Sequence, residues 1–166
     1  MSIEDEETDL SNEFEWRETY FILFKANNRP TLTQVERVIG SLSDRLQLQN
    51  LRANDEGRFE SVMVRSPDDY AAIEISFETG DAVIEQGTEL AKQLRSEAGQ
   101  EELAKLVSSD ARLDLMHFEQ MVEGAVIDDD EMGDMLDPSS LLMIVDALVG
   151  LTEGVAVDPA SGAILP

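Results

Sequence analysis

Between Tyr70 and Glu78 the chain alternates: Ala71, Ile73, Ile75 and Phe77 fall on one phase, and Ala72, Glu74, Ser76 and Glu78 on the other. A period of two places these sets on opposite sides of an extended strand, so one side is buried and the other wet. Strands of this kind belong to antiparallel sheets, which pack one face on a core and present the other to water.

The flanking segments supply partners for that strand. Thr19 to Ala26 is an apolar, aromatic run of strand length that ends at Asn27-Asn28-Arg29-Pro30, so it predicts a first, central strand. Thr31 or Thr33 then opens a helix, each with a capping-box partner three residues on (Gln34 or Glu36), and Leu32, Val35, Val38, Ile39 and Leu42 recur at helical spacing. Leu46 to Arg52 and Arg58 to Val64 flank the turn Asn54-Asp55-Glu56-Gly57 and predict a hairpin. A second helix starts at Gly80-Asp81 with the stripe Val83, Ile84, Gly87, Leu90, Ala91 and Leu94, and Gly99 separates it from a third carrying Leu103, Leu106 and Val107. Leu113 to Phe118 predicts a fifth strand, Asp137-Pro138-Ser139 begins a last helix, and Val155 to Leu165 closes as a hairpin around Asp158 to Gly162. The expected fold is α+β: a mainly antiparallel sheet with helices on one face, a ferredoxin-like β-α-β start, and a C-terminal helix plus hairpin.

Charge divides the 166 residues unevenly. Residues 1–18 hold eight acidic side chains against Arg17 and read as an acidic disordered tail, leaving 19–166 as a single α+β domain. Residues 119–137 hold eight more acids and no Lys or Arg, and read as a solvated loop. Residues 25–65, by contrast, carry seven basic and five acidic side chains. The net charge of −24 excludes a basic field for phosphate backbones or anionic membranes, so neither nucleic acid nor membrane is expected as a partner. With no cysteine there are no disulfides, thiolate nucleophiles or thiolate metal sites. The acidic start and the lack of any long apolar run lead to the expectation of a soluble, cytoplasmic protein.

No nucleophile elbow, phosphate-binding lysine loop, dinucleotide fingerprint or zinc-protease motif is present, and no cofactor is expected. His117 is the only imidazole and lies in phase with Leu113 and Leu115, so it reads as a half-buried strand residue; paired with a carboxylate it would be the one available general base. Asp128, Asp130 and Gly133 match the first, third and sixth positions of a calcium loop, but Met132 and Ser139 stand where its fifth and twelfth ligands belong. Asp128, Asp129, Asp130 and Glu131 therefore read as a solvated charge run open to an interaction. Lys25 and Arg29 sit between a strand end and a helix start, where an anion or acidic partner could bind and where an ordinary capped turn is the plainer account. Five methionines between Met116 and Met143 fill gaps in a core or form an adaptable groove for a basic amphipathic helix. In Leu141 to Leu151 the sole charge is Asp146, so the helix must be covered nearly all round, by its own domain or by a second subunit.

These features predict a non-enzymatic interaction or regulatory module with a protein partner, acting through an acidic surface and forming a homodimer. The alternatives are a small ligand-binding domain or enzyme centred on His117 and the acidic loop, and an acidic mimic of nucleic acid that blocks a DNA-binding protein.

Overall fold

The computed structural model describes residues 14–67, 70–120 and 139–165. Seven strands form one sheet among these residues: β1 (Phe14–Phe24), β2 (Gln47–Ala53), β3 (Phe59–Ser66), β4 (Ala71–Thr79), β5 (Ala111–Gln120), β6 (Val155–Asp158) and β7 (Ala163–Ile164). Four α-helices join them: α1 (Leu32–Gly40), α2 (Asp81–Gln93), α3 (Gln100–Val107) and α4 (Ser139–Thr152). The sheet order is β2-β3-β4-β5-β1-β6-β7, and every neighbouring pair is antiparallel. The fold is thus α+β on an antiparallel sheet.

Local chemistry explains most element ends. Thr31 rather than Thr33 caps α1: its hydroxyl accepts the Gln34 N–H at 3.1 Å, and the Gln34 side chain accepts the Thr31 N–H at 2.9 Å. The β2–β3 turn closes on Asn54, whose side-chain oxygen accepts from the N–H groups of Glu56 and Arg58, while Gly57 takes a φ of +80° that a side chain would resist. At its start β1 departs from expectation. It begins at Phe14, inside the stretch expected to be tail, and Phe14 is buried in a cluster with Met63 and Ala72. Its aromatic surface outweighs the like charge around it. Residues 1–13 lie outside the described residues.

The helices do not share one face. Ile22 and Phe24 of β1 join Val62, Val64, Ile73, Ile75, Leu113 and Leu115 in a core closed by Val35 and Ile39 of α1 and Leu141, Ile144 and Leu148 of α4. Leu23, between them in sequence, joins Val155 and Val157 in a second core closed by Leu90, Ala91 and Leu94 and by Leu106 of α3. Successive strand residues point to opposite sides, so α2 and α3 cover the face opposite α1 and α4. This corrects the expectation of a single helical layer. Its cause is legible in β1 and β6, which are apolar on both phases, as strands covered on both faces must be.

The β-α-β start also differs from the ferredoxin-like arrangement. Four antiparallel steps separate β1 from β2, which makes them parallel, with β5, β4 and β3 standing between. The crossover through α1 therefore spans three strands of the sheet. No helix among the described residues is long and apolar enough to cross a membrane.

Candidate functional site

Helix α4 is apolar nearly all round, yet among the described residues it is covered on one side only. Leu141, Ile144, Val145, Leu148 and Thr152 are buried, whereas Leu142 and Met143 each keep 44% of their surface exposed and Asp146 and Gly150 face outward beside them. The helix ends in a tight reversal: Thr152 Oγ1 donates to the Leu148 carbonyl, Glu153 adopts a φ of +58°, and Gly154 lies so close to β1 that an added Cβ would stand 2.6 Å from the Leu23 carbonyl oxygen. That reversal brings β6 and β7 back along the helix.

The result is an open groove of about 530 Å³. One bank is α4, contributing Leu142, Met143, Asp146 and Val149; the floor is apolar, from Val155, Ala156, Ile164 and Leu165; the other bank is α3, contributing Glu101, Glu102 and Lys105. Glu102 is fixed at the helix start, where its carboxylate accepts the Gly99 N–H at 3.2 Å. Asp146 and Glu101 have no ion-pair partner among the described residues. The groove is apolar below and acidic along its rim, with three carboxylates to one ammonium.

A second groove of about 340 Å³ shares Glu101 and Lys105 with the first and is lined further by Lys25, Asn28, Ala104, Ser108 and Glu153. Two of the three lysines of the chain thus meet at one place, facing two glutamates. Lys25 is exposed there, but Arg29, expected beside it, is turned away. Its Nε and Nη2 donate to the Phe59 carbonyl at 3.0 and 2.8 Å, and its guanidinium lies 3.9 Å above the Phe77 ring. Arg29 ties the loop after β1 to β3 and β4. Asn28 is likewise engaged, donating to the Thr152 carbonyl at 3.1 Å.

His117 sits in the middle of β5, 6% exposed, opposite Ile73 on one side and Glu18 on the other. Its Nδ1 is 3.8 Å from Glu18 Oε1, which also accepts the Tyr20 hydroxyl at 3.2 Å. Burial, and then the charge and hydrogen bond of Glu18, push the Tyr20 phenol up to about 12. Nearby, Glu119 pairs with Arg17 at 3.0 Å; burial raises its carboxyl above the ordinary carboxylate range, Arg17 pulls it back, and Glu18 and Glu15 push it up again. Neither groove includes His117, Glu18 or Tyr20.

Among the described residues no group of three or more His, Asp or Glu side chains could hold a metal ion. Asp128, Asp129, Asp130 and Glu131, and with them the calcium-loop test, lie outside the described residues. Of the residues singled out in the sequence, Asp146 and Lys25 therefore line grooves, Arg29 and His117 are built into the sheet region, and the acidic run has no structural account. Leu142 and Met143 entered the sequence reading only as part of the apolar last helix and, for Met143, of the methionine set, whereas Glu101, Glu102 and Lys105 carried no signal there. The signal for the first two was present in a helix whose sole charge is Asp146; nothing in sequence spacing brings α3 beside them. No family model matches the chain, and no curated protein matches it.

Proposed function

We propose that the protein is a non-enzymatic interaction module that binds a protein partner along the exposed face of α4 and the acidic rim beside it. One observation carries this reading: Leu142 and Met143 stand side by side and half exposed over an apolar groove that Asp146, Glu101 and Glu102 border. Contiguous apolar surface rimmed by polar groups is the anatomy of a protein interface, with an apolar centre that excludes water and a charged edge that selects the partner. The overall charge of −24 extends the same preference outward and speeds encounter with a cationic surface.

The test is to recover proteins bound from a cell extract by the full chain, purify the retained partner, and titrate it by calorimetry into the wild type and into a Leu142→Ser/Met143→Ser variant. A one-to-one complex weakened at least tenfold in the variant is expected. Equal affinity for both proteins would place the interface elsewhere and remove the proposal.

A further inference from the structure

Resting on that reading, we infer that the groove takes a basic amphipathic helix of the partner, its apolar face on Leu142, Met143 and Val149 and its cationic residues on Asp146, Glu101 and Glu102. The outward residues of α4 fall at 142, 143, 146 and 149, a stripe at helical spacing that runs about 10 Å, or two turns. A surface of that length and shape fits the anchor spacing of one short helix laid in a groove. An extended peptide fits less well, because β7 offers it only Ala163–Ile164 as a ladder, and its remaining N–H and C=O groups would be desolvated without partners. A helix satisfies its own backbone.

Charge decides between a second copy and a different protein. If two copies paired through α4 about a two-fold axis near the centre of the stripe, Asp146 would meet Asp146, and α4 contains no Lys or Arg to offset it. A cationic partner removes that conflict: an ammonium or guanidinium placed centrally reaches Asp146, with Glu101 and Glu102 on the opposite bank. Lys105, one turn further along α3, repels a cation at its end of the groove and so favours cationic residues at the Glu101 end. Arginine suits the site better than lysine, since its guanidinium is more weakly hydrated and pairs with a carboxylate through two bonds.

Three synthetic peptides of equal length separate the contributions, each titrated into the full chain at about 0.15 M salt: an amphipathic Leu/Lys helix, a Lys/Ser peptide of the same charge without an apolar face, and a Leu/Glu helix. The Leu/Lys helix is expected to bind one-to-one, the Lys/Ser peptide at least tenfold more weakly, and the Leu/Glu helix not at all. Removing the surface that Leu142 and Met143 still expose weakens Leu/Lys binding by about 10- to 80-fold in the Leu142→Ser/Met143→Ser variant and leaves Lys/Ser binding unchanged. Asp146→Asn should weaken it about 3- to 10-fold, and Asp81→Asn, an exposed acid at the start of α2, much less. Should the double variant lose its cooperative urea transition, Met143→Ser alone is titrated, with about a 3- to 9-fold loss expected. Equal binding of the Leu/Lys and Lys/Ser peptides, or no effect of the variants, overturns the inference. So does a dimer in sedimentation that Leu142→Ser dissolves, which would seat a second copy in the groove. A purified partner that depends on Leu142 and Met143 but is displaced by the Leu/Glu helix leaves the interface standing and refutes only its basic character.

Discussion

Replacing Arg29 with Ala removes a clamp at the exit of β1. Two of its N–H groups converge on the carbonyl of Phe59, a residue that is itself fully buried, and its guanidinium stacks on Phe77, whose ring lies 6.1 Å from that of Phe24. The loop is tied a second time by Arg58, whose Nη1 donates to the Arg29 carbonyl at 3.1 Å, and a third time by the Phe59 N–H on the Pro30 carbonyl at 3.0 Å. A hydrogen bond from a charged donor contributes about 1.5–3 kcal/mol. The cation–π contact adds about 0.5–2 kcal/mol. Because Arg29 keeps part of its surface in water, the lower ends apply, and Arg29→Ala should cost about 2–3 kcal/mol. In a chain of this size that lowers the melting temperature by about 4–12 °C. Arg29→Lys keeps the charge but not the planar fork and should lose about 1–2 kcal/mol. Urea unfolding measures both, and a cycle with Phe77→Leu isolates the stacking, expected at about 0.5–2 kcal/mol of coupling. A loss below about 0.5 kcal/mol for Arg29→Ala, or a lysine as good as the arginine, would refute the clamp. Weakened partner binding at unchanged stability would return Arg29 to the interaction surface that the sequence suggested.

Three more outcomes can be checked with the same preparation. Gly154→Ala should destabilise by about 1–3 kcal/mol, since its Cβ would stand 2.6 Å from the Leu23 carbonyl and 3.0 Å from side-chain atoms of Ile22 and Phe24; Gly87→Ala, whose Cβ would meet the Leu106 carbonyl, should do the same by forcing α2 from α3, and a neutral urea midpoint for either would contradict these approaches. In a Tyr70→Phe background, leaving Tyr20 as the sole tyrosine, phenolate absorbance should rise with a midpoint at about 12 rather than near 10. The folded phenol then stays neutral while the unfolded one ionises, so the contribution of Tyr20 to stability falls as pH climbs from about 10 through about 12, and a Tyr20→Phe variant should lack that component. His117→Gln should lower stability by about 1–3 kcal/mol, from the loss of a buried ring between Ile73 and Glu18, and leave binding of the Leu/Lys helix unchanged; the reverse pattern would make His117 a binding residue.

Strand pairing was legible where one phase of a segment is apolar and the other is not. The apolar phase of Tyr70 to Glu78 carries Ile73 and Ile75, which enter the core at 0% exposure, and the hairpin around Asn54 to Gly57 closes where its residues dictate. Layering was not legible in the same way. A run such as Tyr20 to Phe24 shows that both phases are apolar, which requires cover on both faces, but α1, α2 and α3 each present a single apolar stripe that suits either one. Only the topology assigns α2 and α3 to the Leu23 side. The clamp of Arg29 escaped sequence reading for a related reason, since its acceptor lies thirty residues away on β3 and its aromatic partner on β4. A cation beside a helix start looks like an anion site until its neighbours are known.

Helix α4 shows how composition and topology combine. Eleven residues with one charge demand burial, and the sheet meets that demand on the side of Leu141, Ile144 and Leu148 only. The reason is geometric: β6 is short and pairs with β1 over Phe21 to Leu23 alone, β7 adds only two residues on the far side of β6, and both lie beside α4 at the end of the sheet, where no described element closes over Leu142 and Met143. Exposed apolar surface of this sort drives association unless something opposes it. Here the opposition is electrostatic, because two copies of a chain with a net charge of −24 repel each other, and the repulsion reaches roughly 8 Å at physiological ionic strength. Asp146 sharpens that effect to one point by placing a carboxylate within the stripe itself. The same two features that disfavour a second copy favour a cationic helix, so under the proposed reading one charge distribution sets both what is kept from the apolar face of α4 and what covers it.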